Sequence, residues 1–216
     1  MFIGHFAVGF AAKRVAPRLS LAALFAAAQL ADVMWPVLVG LGIEQVRIDP
    51  GNTAFTPLDF VSYPYSHSLL FLSLWGVVFG LICARVIHDR RIVLIAAALV
   101  VSHWVLDWIT HRPDMPLYPG SIKLGLGLWN SIPATIAVEV TMFAAAVWMY
   151  ARATRARDAS GRWAFAAFVG LLLVIYFANI GSPPPSITAV VIVGIAGTVV
   201  LMLWAWWFDR HRTALI

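Results

Sequence analysis

Six long apolar stretches constrain this chain more than any other feature of its sequence. Each is close to the roughly 20 residues that a helix needs to cross a hydrocarbon layer about 30 Å thick. They are Leu19–Ile43, Ser66–Ala84, Ile92–His111, Asn130–Ala151, Trp163–Ile180 and Ile187–Phe208. Backbone polar groups in lipid must be satisfied within their own segment, so each stretch is predicted to be a transmembrane helix. The predicted fold class is all-α, a polytopic bundle of about six spans.

The composition agrees with a chain that lies mostly in lipid. The 216 residues are 62% hydrophobic and 12% charged, whereas a soluble domain is about 45–50% apolar and about 25% charged. We expect one membrane-embedded domain over residues 1–216, with the polar motifs in residues 1–140 and a C-terminal helical pair in residues 163–208. The segment Phe2–Ala12 is too short to span, and we expect a short helix there, either inside the bundle or at the interface.

Basic residues are concentrated in alternate loops. One set of connections holds Lys13, Arg14, Arg18, Arg85, Arg90, Arg91, Arg152, Arg155, Arg157, Arg162, Arg210 and Arg212. The other set holds only Arg47, Arg112 and Lys123. The positive-inside rule then predicts a multi-pass protein of the bacterial inner membrane with its C-terminus in the cytoplasm. Because topology explains the basic residues, the net charge of +5 does not indicate nucleic acid, and the expected partner is the lipid bilayer.

Ionisable side chains lie inside several spans, where charge is costly and usually marks function. In the third span His103, Asp107 and His111 follow one another at intervals of four residues, so they share one helix face. Imidazole and carboxylate are ligands for zinc and related divalent ions. This face is therefore a candidate metal site, and a hydrogen-bonded packing face is the alternative interpretation.

Other ionisable residues fall at similar depths. A rise of about 1.5 Å per residue puts the carboxylates and imidazoles of the first, third and fourth spans roughly 6–15 Å below the outer surface. A histidine at the outer rim and one in the N-terminal segment come within reach of them. The candidate metal ligands are His5, Asp32, His67, His103, Asp107, His111 and Glu139.

Two carboxylates are also candidates for catalysis. A metal-activated water is the most economical nucleophile, because the chain has no supported serine or cysteine nucleophile. Glu139 or Asp107, if not fully used as a ligand, could then act as general base. For Glu139 the alternative is pairing with a neighbouring polar residue. Asp59 and Asp114 lie in predicted outer loops and are expected to be solvated.

Four polar residues near the outer face are candidates for substrate binding. Arg112 and Lys123 could attract a phosphate. Ser68 and Asn130 could orient a substrate, although both residue types also favour helix caps.

Short motifs in the first two thirds of the chain occur in a characteristic order. They are HxxxG (His5 to Gly9), an Asp in the next helix (Asp32), a His-Ser pair (His67-Ser68) and SHxxxD (Ser102 to Asp107). Over roughly residues 1–140 this order resembles the YdjM-like family of inner-membrane metal-dependent hydrolases. That family is grouped with the zinc-dependent phospholipase C superfamily, whose helical enzymes bind up to three zinc ions and cleave phosphoesters. The chain departs from the family pattern at Gly4 and Met34, where Thr and Asp are common.

The resemblance implies a ligand set and an activity. Asp32, His67, His103 and Asp107 would bind one zinc ion, and His5 a second with Asp107 as a possible bridge. A third ion would fall to the two remaining candidates, His111 and Glu139. The implied reaction is hydrolysis of a phosphoester, on a lipid or lipid-linked substrate at the outer side of the membrane.

Two other functions use the same residues. A proton-coupled transporter or permease would employ the intramembrane His, Asp and Glu side chains as a relay, and it predicts broken helices in paired halves. A scaffold with a structural metal predicts a closed site without a pocket.

Overall fold

Helices make up most of residues 1–215, the part of the chain that the structure, a computed structural model, describes. The helices are α1 Ile3–Ala12, α2 Leu21–Ala28, α3 Leu30–Gly40, α4 Pro64–His67, α5 Leu69–Ile87, α6 Arg91–Thr110, α7 Ile132–Ala153, α8 Ala159–Ala178 and α9 Ile187–Arg210. Three short antiparallel pairs lie in the connections: β1 Gln45–Ile48 with β2 Leu58–Ser62, β3 Met115–Pro116 with β4 Lys123–Leu124, and β5 Thr154–Ala156 with β6 Arg212–Ala214. The predicted all-α class is confirmed.

Five helices, α5 to α9, are long and apolar enough to cross a membrane. A sixth span is possible if α2 and α3 are taken together, but these helices meet at an angle of 61°. The prediction of one continuous helix over Leu19–Ile43 is therefore wrong in detail. The break falls at Gln29, whose φ of −106° and ψ of 11° leave the helical region, and Pro36 lies inside α3 rather than at the break.

The short helix α1 lies inside the bundle, one of the two positions expected for it. Eight of its ten residues are buried. Phe10 packs edge-on against Phe25 of α2, with ring centroids 4.8 Å apart, and Phe25 stacks on Phe168 of α8 at 5.8 Å. These aromatic contacts fix α1, and with it the histidine that it carries, against the longer helices.

Glycines let α5 and α6 pack closely. A Cβ added at Gly80 would lie 2.6 Å from the carbonyl oxygen of Val93, and one at Gly76 would lie 3.0 Å from Ala97 Cα. Small residues at such contacts are the usual way in which membrane helices approach. This packing holds α6, which carries the HxxxDxxxH face, in place.

A buried polar network closes one end of the bundle, which we call the basic end because the arginine-rich loops lie there. Lys13 Nζ and Asp209 Oδ2 are 2.8 Å apart, and Tyr150 donates to the other oxygen of Asp209 at 2.8 Å. The amide of Leu21 also donates to Asp209 at 2.9 Å. Helices α2, α7 and α9 are thus tied to the end of α1.

At the opposite end, main-chain hydrogen bonds join the three connecting segments 44–65, 112–129 and 179–186. The amide of Phe55 donates to the carbonyl of Trp129 at 3.0 Å, and the amide of Gly181 donates to the carbonyl of Phe55 at 2.8 Å. Lys123 Nζ donates to the carbonyl of Val61 at 2.9 Å. The polar cluster described next lies beneath these segments.

Candidate metal centre

Asp107 lies at the centre of the polar cluster, with 2% of its side chain exposed. Its Oδ1 is 3.0 Å from His5 Nε2. Its Oδ2 is 3.0 Å from His103 Nε2 and 3.8 Å from His67 Nε2. The amine of Met1 also donates to Oδ1. One carboxylate therefore contacts imidazoles from α1, α4 and its own helix.

His103 is oriented by the break between α2 and α3. Its Nδ1 is 2.9 Å from the carbonyl oxygen of Ala28, one of the last carbonyls of α2, which lack partners within the helix. A carbonyl only accepts, so Nδ1 carries the proton and Nε2 presents its lone pair. Nε2 is buried. Although it lies 3.0 Å from Asp107 Oδ2, it makes no hydrogen bond within residues 1–215. A carbonyl on the far ring nitrogen is the usual way to orient a metal-binding imidazole.

His67 is oriented by a short chain of hydrogen bonds from the segment 44–65. The hydroxyl of Ser66 is 2.7 Å from His67 Nδ1 and donates to Glu44 Oε2 at 2.5 Å. Glu44 Oε1 accepts from the amides of Tyr65 and Ser66 at 2.8 and 2.9 Å. Since the hydroxyl proton goes to Glu44, Ser66 accepts from Nδ1–H. His67 Nε2 then presents its lone pair to the cluster.

Asp32 and His5 complete the cluster from two other helices. Asp32, in the first turn of α3, places Oδ1 3.5 Å from His67 Nε2 and 3.8 Å from His103 Nε2. His5, on α1, stacks on His103 with ring centroids 3.7 Å apart and an interplanar angle of 4°. The Nδ1 of His5 is buried and lacks a hydrogen-bond partner in the described chain.

These side chains form two overlapping sets that could hold a metal ion. One set is His5, His103 and Asp107, and the other is Asp32, His67 and His103. Within each set the donor atoms lie within 4.8 Å of one another. Because both sets use His103, they describe one centre of three imidazoles and two carboxylates. Two carboxylates that approach the same imidazole nitrogen repel each other, and a divalent cation with nitrogen and oxygen preferences would offset that repulsion.

His111 lies at the edge of the cluster and outside both sets. Its Nε2 is 3.9 Å from Asp107 Oδ1, and its Nδ1 is 2.9 Å from Asp114 Oδ1. Tyr63 donates to the same oxygen at 2.7 Å. Burial, reinforced by Asp114, raises the pKa of Tyr63 well above its ordinary value, so the phenol stays protonated. The ring of Trp129 packs on His111 with centroids 4.2 Å apart.

The expectation that Asp59 and Asp114 are solvated is wrong, since each residue is only 5% exposed. Arg112 donates to Asp59, and its Nε lies 3.5 Å from Asp114 Oδ2. Arg47 also pairs with Asp59, at 2.8 Å. Opposite charges in the segments 44–65 and 112–129 allow these carboxylates to be buried.

Glu139 lies beside the cluster and also outside both sets. It is fully buried, and its Oε2 accepts from the amides of Phe2 and Gly4 at 2.9 and 3.2 Å. Oε1 has no hydrogen-bond partner among the described residues. The carboxylate therefore holds the start of α1, the helix on which His5 lies.

The four substrate candidates occupy different places. Ser68 caps α5, where its hydroxyl accepts from the amide of Phe71 at 3.3 Å. Asn130 is exposed in a single 3₁₀ turn. Arg112 and Lys123 line a separate cavity of about 330 Å³ together with Asp59 and Asp114. None of the four lines the larger cavity that reaches the metal centre.

That larger cavity has a volume of about 540 Å³. Its polar wall includes Asp32, His67, Asp107 and His111. The remaining wall is mostly apolar. It comes largely from the segments 44–65 and 179–186 and from α9, and its residues include Phe55, Phe60, Pro183, Pro184, Val190 and Val193. The centre thus meets a space that is polar at one end and apolar along its length.

Glu44 helps to orient His67 through Ser66, and the sequence motifs do not identify it. It follows the first apolar stretch and matches no ligand spacing. A signal does exist, because a Ser directly precedes the His of the His-Ser pair and a buried hydroxyl needs an acceptor. The motif alone does not say which acceptor.

The fold and the cluster together define an α-helical membrane protein with a buried group of His and Asp side chains that could hold a metal ion. The family model for YdjM inner membrane proteins matches residues 1–183. The chain therefore belongs to the YdjM inner membrane protein family, and the match extends beyond residue 140 through the whole of α8. No curated protein and no solved structure matches the chain.

Proposed function

We propose that this protein is a membrane-embedded metal-dependent hydrolase, a phosphoesterase that acts on a lipid or lipid-linked substrate at the outer side of the membrane. The observation that carries the proposal is the 540 Å³ cavity, in which Asp32, His67 and Asp107 share one wall and apolar residues form the rest. A polar headgroup would meet the metal centre while an apolar chain lies against α9. Ligand sites of this kind combine an apolar lining with a few placed polar groups.

The residues fit a divalent metal, which we propose to be zinc. Asp32, His67, His103 and Asp107 would hold it, with His5 available for a second ion. When bound, the ion would polarise a phosphoryl group and favour ionisation of a water. Two of the imidazoles already present Nε2 with Nδ1 engaged elsewhere, so little rearrangement of those rings is needed.

His111 is the residue to which we assign proton transfer. It lines the cavity, and Asp114 holds its Nδ1–H, so Nε2 can give a proton to a leaving oxygen or take one from water. Glu139 does not line the cavity, and in this proposal it positions the start of α1. Tyr63 keeps Asp114 in place by donating to the same oxygen.

The proposed orientation follows from the loops. The basic end would face the cytoplasm by the positive-inside rule, as would the C-terminus. The cavity, which is lined by residues of the segments 55–60 and 182–185, would then open on the outer side.

One observation favours a second candidate, a proton-coupled permease. The 61° break between α2 and α3 lies next to Asp32, and transporters use discontinuous helices at their binding sites. Among residues 1–215 this is one bent pair, whereas the transporter model predicts breaks in both halves.

Metal content and hydrolysis test the two candidates together. Purified protein in detergent, loaded with zinc or, separately, with manganese and then desalted, would be analysed for metal beside Asp32→Asn and Asp107→Asn. Asp158→Asn is a matched control at the basic end. We expect at least one metal equivalent in the wild type and the control, a loss in both cluster variants, and zinc-dependent phosphate release from a panel of lipid phosphoesters. A wild type that stays metal-free after zinc and manganese loading would overturn the hydrolase proposal and favour the permease.

A further inference from the structure

A third cavity lies at the basic end of the bundle, away from the metal centre. Its volume is about 290 Å³, and it is lined by Arg14, Trp148, Met149, Arg152 and Ala153. Arg14 belongs to the turn that follows α1, and the other four residues form the last turns of α7. The cavity therefore sits where two packed helices end.

Two guanidinium groups converge on this cavity without a carboxylate to neutralise them. Both Arg14 and Arg152 are exposed, and neither forms an ion pair within residues 1–215. The acidic side chains at this end already have partners. Asp209 pairs with Lys13, and Asp158 Oδ2 lies 2.6 Å from His211 Nδ1. The site thus carries two unneutralised positive charges.

The same cavity has an apolar side with an exposed aromatic ring. Trp148 is 61% exposed, and its ring lies 5.8 Å from the guanidinium carbon of Arg152. Val15, which follows Arg14 in the chain, is 65% exposed. Tryptophan at the end of a span marks the level of lipid headgroups. A ligand here would meet cations at its head and apolar surface beside them.

We propose that this cavity is a binding site for an anionic phospholipid. Arg14 and Arg152 would hold the phosphate, for which planar guanidinium groups are well matched, while the acyl chains lie along Trp148 and Met149. Basic pockets between membrane helices bind anionic headgroups in this way. The site is distinct from the cavity of the metal centre, so the bound lipid is a ligand of the bundle rather than a substrate.

Native mass spectrometry with added lipid tests this site directly. The full-length protein in detergent would be titrated with phosphatidylglycerol and, separately, with phosphatidylcholine. The double variant Arg14→Gln/Arg152→Gln would be compared with Arg90→Gln/Arg91→Gln, which removes two exposed charges at the same end outside the cavity. We expect the first double variant to weaken phosphatidylglycerol binding by about 30-fold, the loss of two hydrogen bonds to the phosphate.

The control pair should change phosphatidylglycerol binding by less than about threefold, the scale of a diffuse surface charge, and phosphatidylcholine should bind weakly to every protein. Each single variant should give an intermediate loss, which keeps the test valid if the double variant unfolds. Equal losses in the two double variants would overturn the proposal, because they would indicate diffuse attraction. Displacement of the lipid by excess inorganic phosphate would overturn it as well, since the site would then bind free phosphate.

Discussion

Replacing Glu44 by Gln tests whether the segment 44–65 controls the protonation of an imidazole in the candidate metal centre. In the native chain Ser66 donates to Glu44 and accepts from His67 Nδ1–H. The glutamine amide would keep one oxygen for the amides of Tyr65 and Ser66 but present an NH₂ group to the Ser66 hydroxyl. The hydroxyl would then donate to His67 Nδ1, the proton would move to Nε2, and the lone pair that faces the cluster would be lost.

The size of the effect follows from the bonds that must change. To bind a metal, the variant has to return His67 to the original tautomer and lose the Ser66–His67 hydrogen bond, which costs about 0.5–1.5 kcal/mol. The neutral amide of glutamine also accepts more weakly than the Glu44 carboxylate, which adds to this cost. We therefore expect zinc affinity to fall by about 10-fold, which is the upper part of this cost and the lower end of the range found when the residues behind a metal ligand are changed.

Competition between the protein and a chelator of known zinc affinity would measure this loss. Ser68→Ala is the matched control, because its hydroxyl caps α5 and does not contact His67. The control should lower stability by about 1 kcal/mol and leave zinc affinity unchanged. Equal zinc affinity in Glu44→Gln and the wild type would refute the assignment of His67 as a ligand oriented through this chain.

Three further changes probe other parts of the bundle. Asp209→Asn leaves Lys13 without its buried counterion and should cost about 3–5 kcal/mol, seen as a lower melting temperature in detergent; an unchanged value would contradict the buried network. Asp158→Asn tests pH dependence. The hydrogen bond from His211 holds the pKa of Asp158 below its ordinary value. The contribution of this carboxylate to folding stability is therefore full above about pH 4 and is lost on further acidification. The melting-temperature difference between wild type and variant should shrink there, and a constant difference would argue against the pair. Gly80→Ala places a methyl group 2.6 Å from a carbonyl oxygen of the facing helix and should destabilise by about 1–3 kcal/mol, measured by thermal unfolding; a neutral effect would mean that α5 and α6 can separate.

Length and hydrophobicity were enough to predict the long spans, because the bilayer sets one dimension that every span must meet. They could not predict the break at Gln29. A straight and a bent helix have the same apolar sequence pattern. At this bend the carbonyl of Ala28 contacts the ring of His103, which lies 75 residues away in the chain. The spacing of His103 and Asp107 did predict a shared face, since helix geometry alone determines it.

The segments 44–65 and 112–129 were harder to predict than the helices. A carboxylate in a loop is usually solvated, so Asp59 and Asp114 gave no sign that they are buried. Their burial depends on Arg112, which lies 53 residues from Asp59 and pairs with it. Glu44 presents the same difficulty, because its partner Ser66 is 22 residues away. Contacts of this kind come from tertiary structure and have no local pattern.

The break between α2 and α3 has a consequence for how the protein is made. At about 1.5 Å per residue, the eight residues of α2 extend only about 12 Å and the eleven of α3 about 17 Å, so neither could be retained in a bilayer alone. The first apolar stretch must therefore enter the membrane as one segment and bend afterwards. The bend frees a carbonyl at Ala28, and its partner on α6 is synthesised only later. The candidate metal centre, which needs His103 and Asp107 of α6, therefore cannot be complete until the third long apolar stretch has been synthesised.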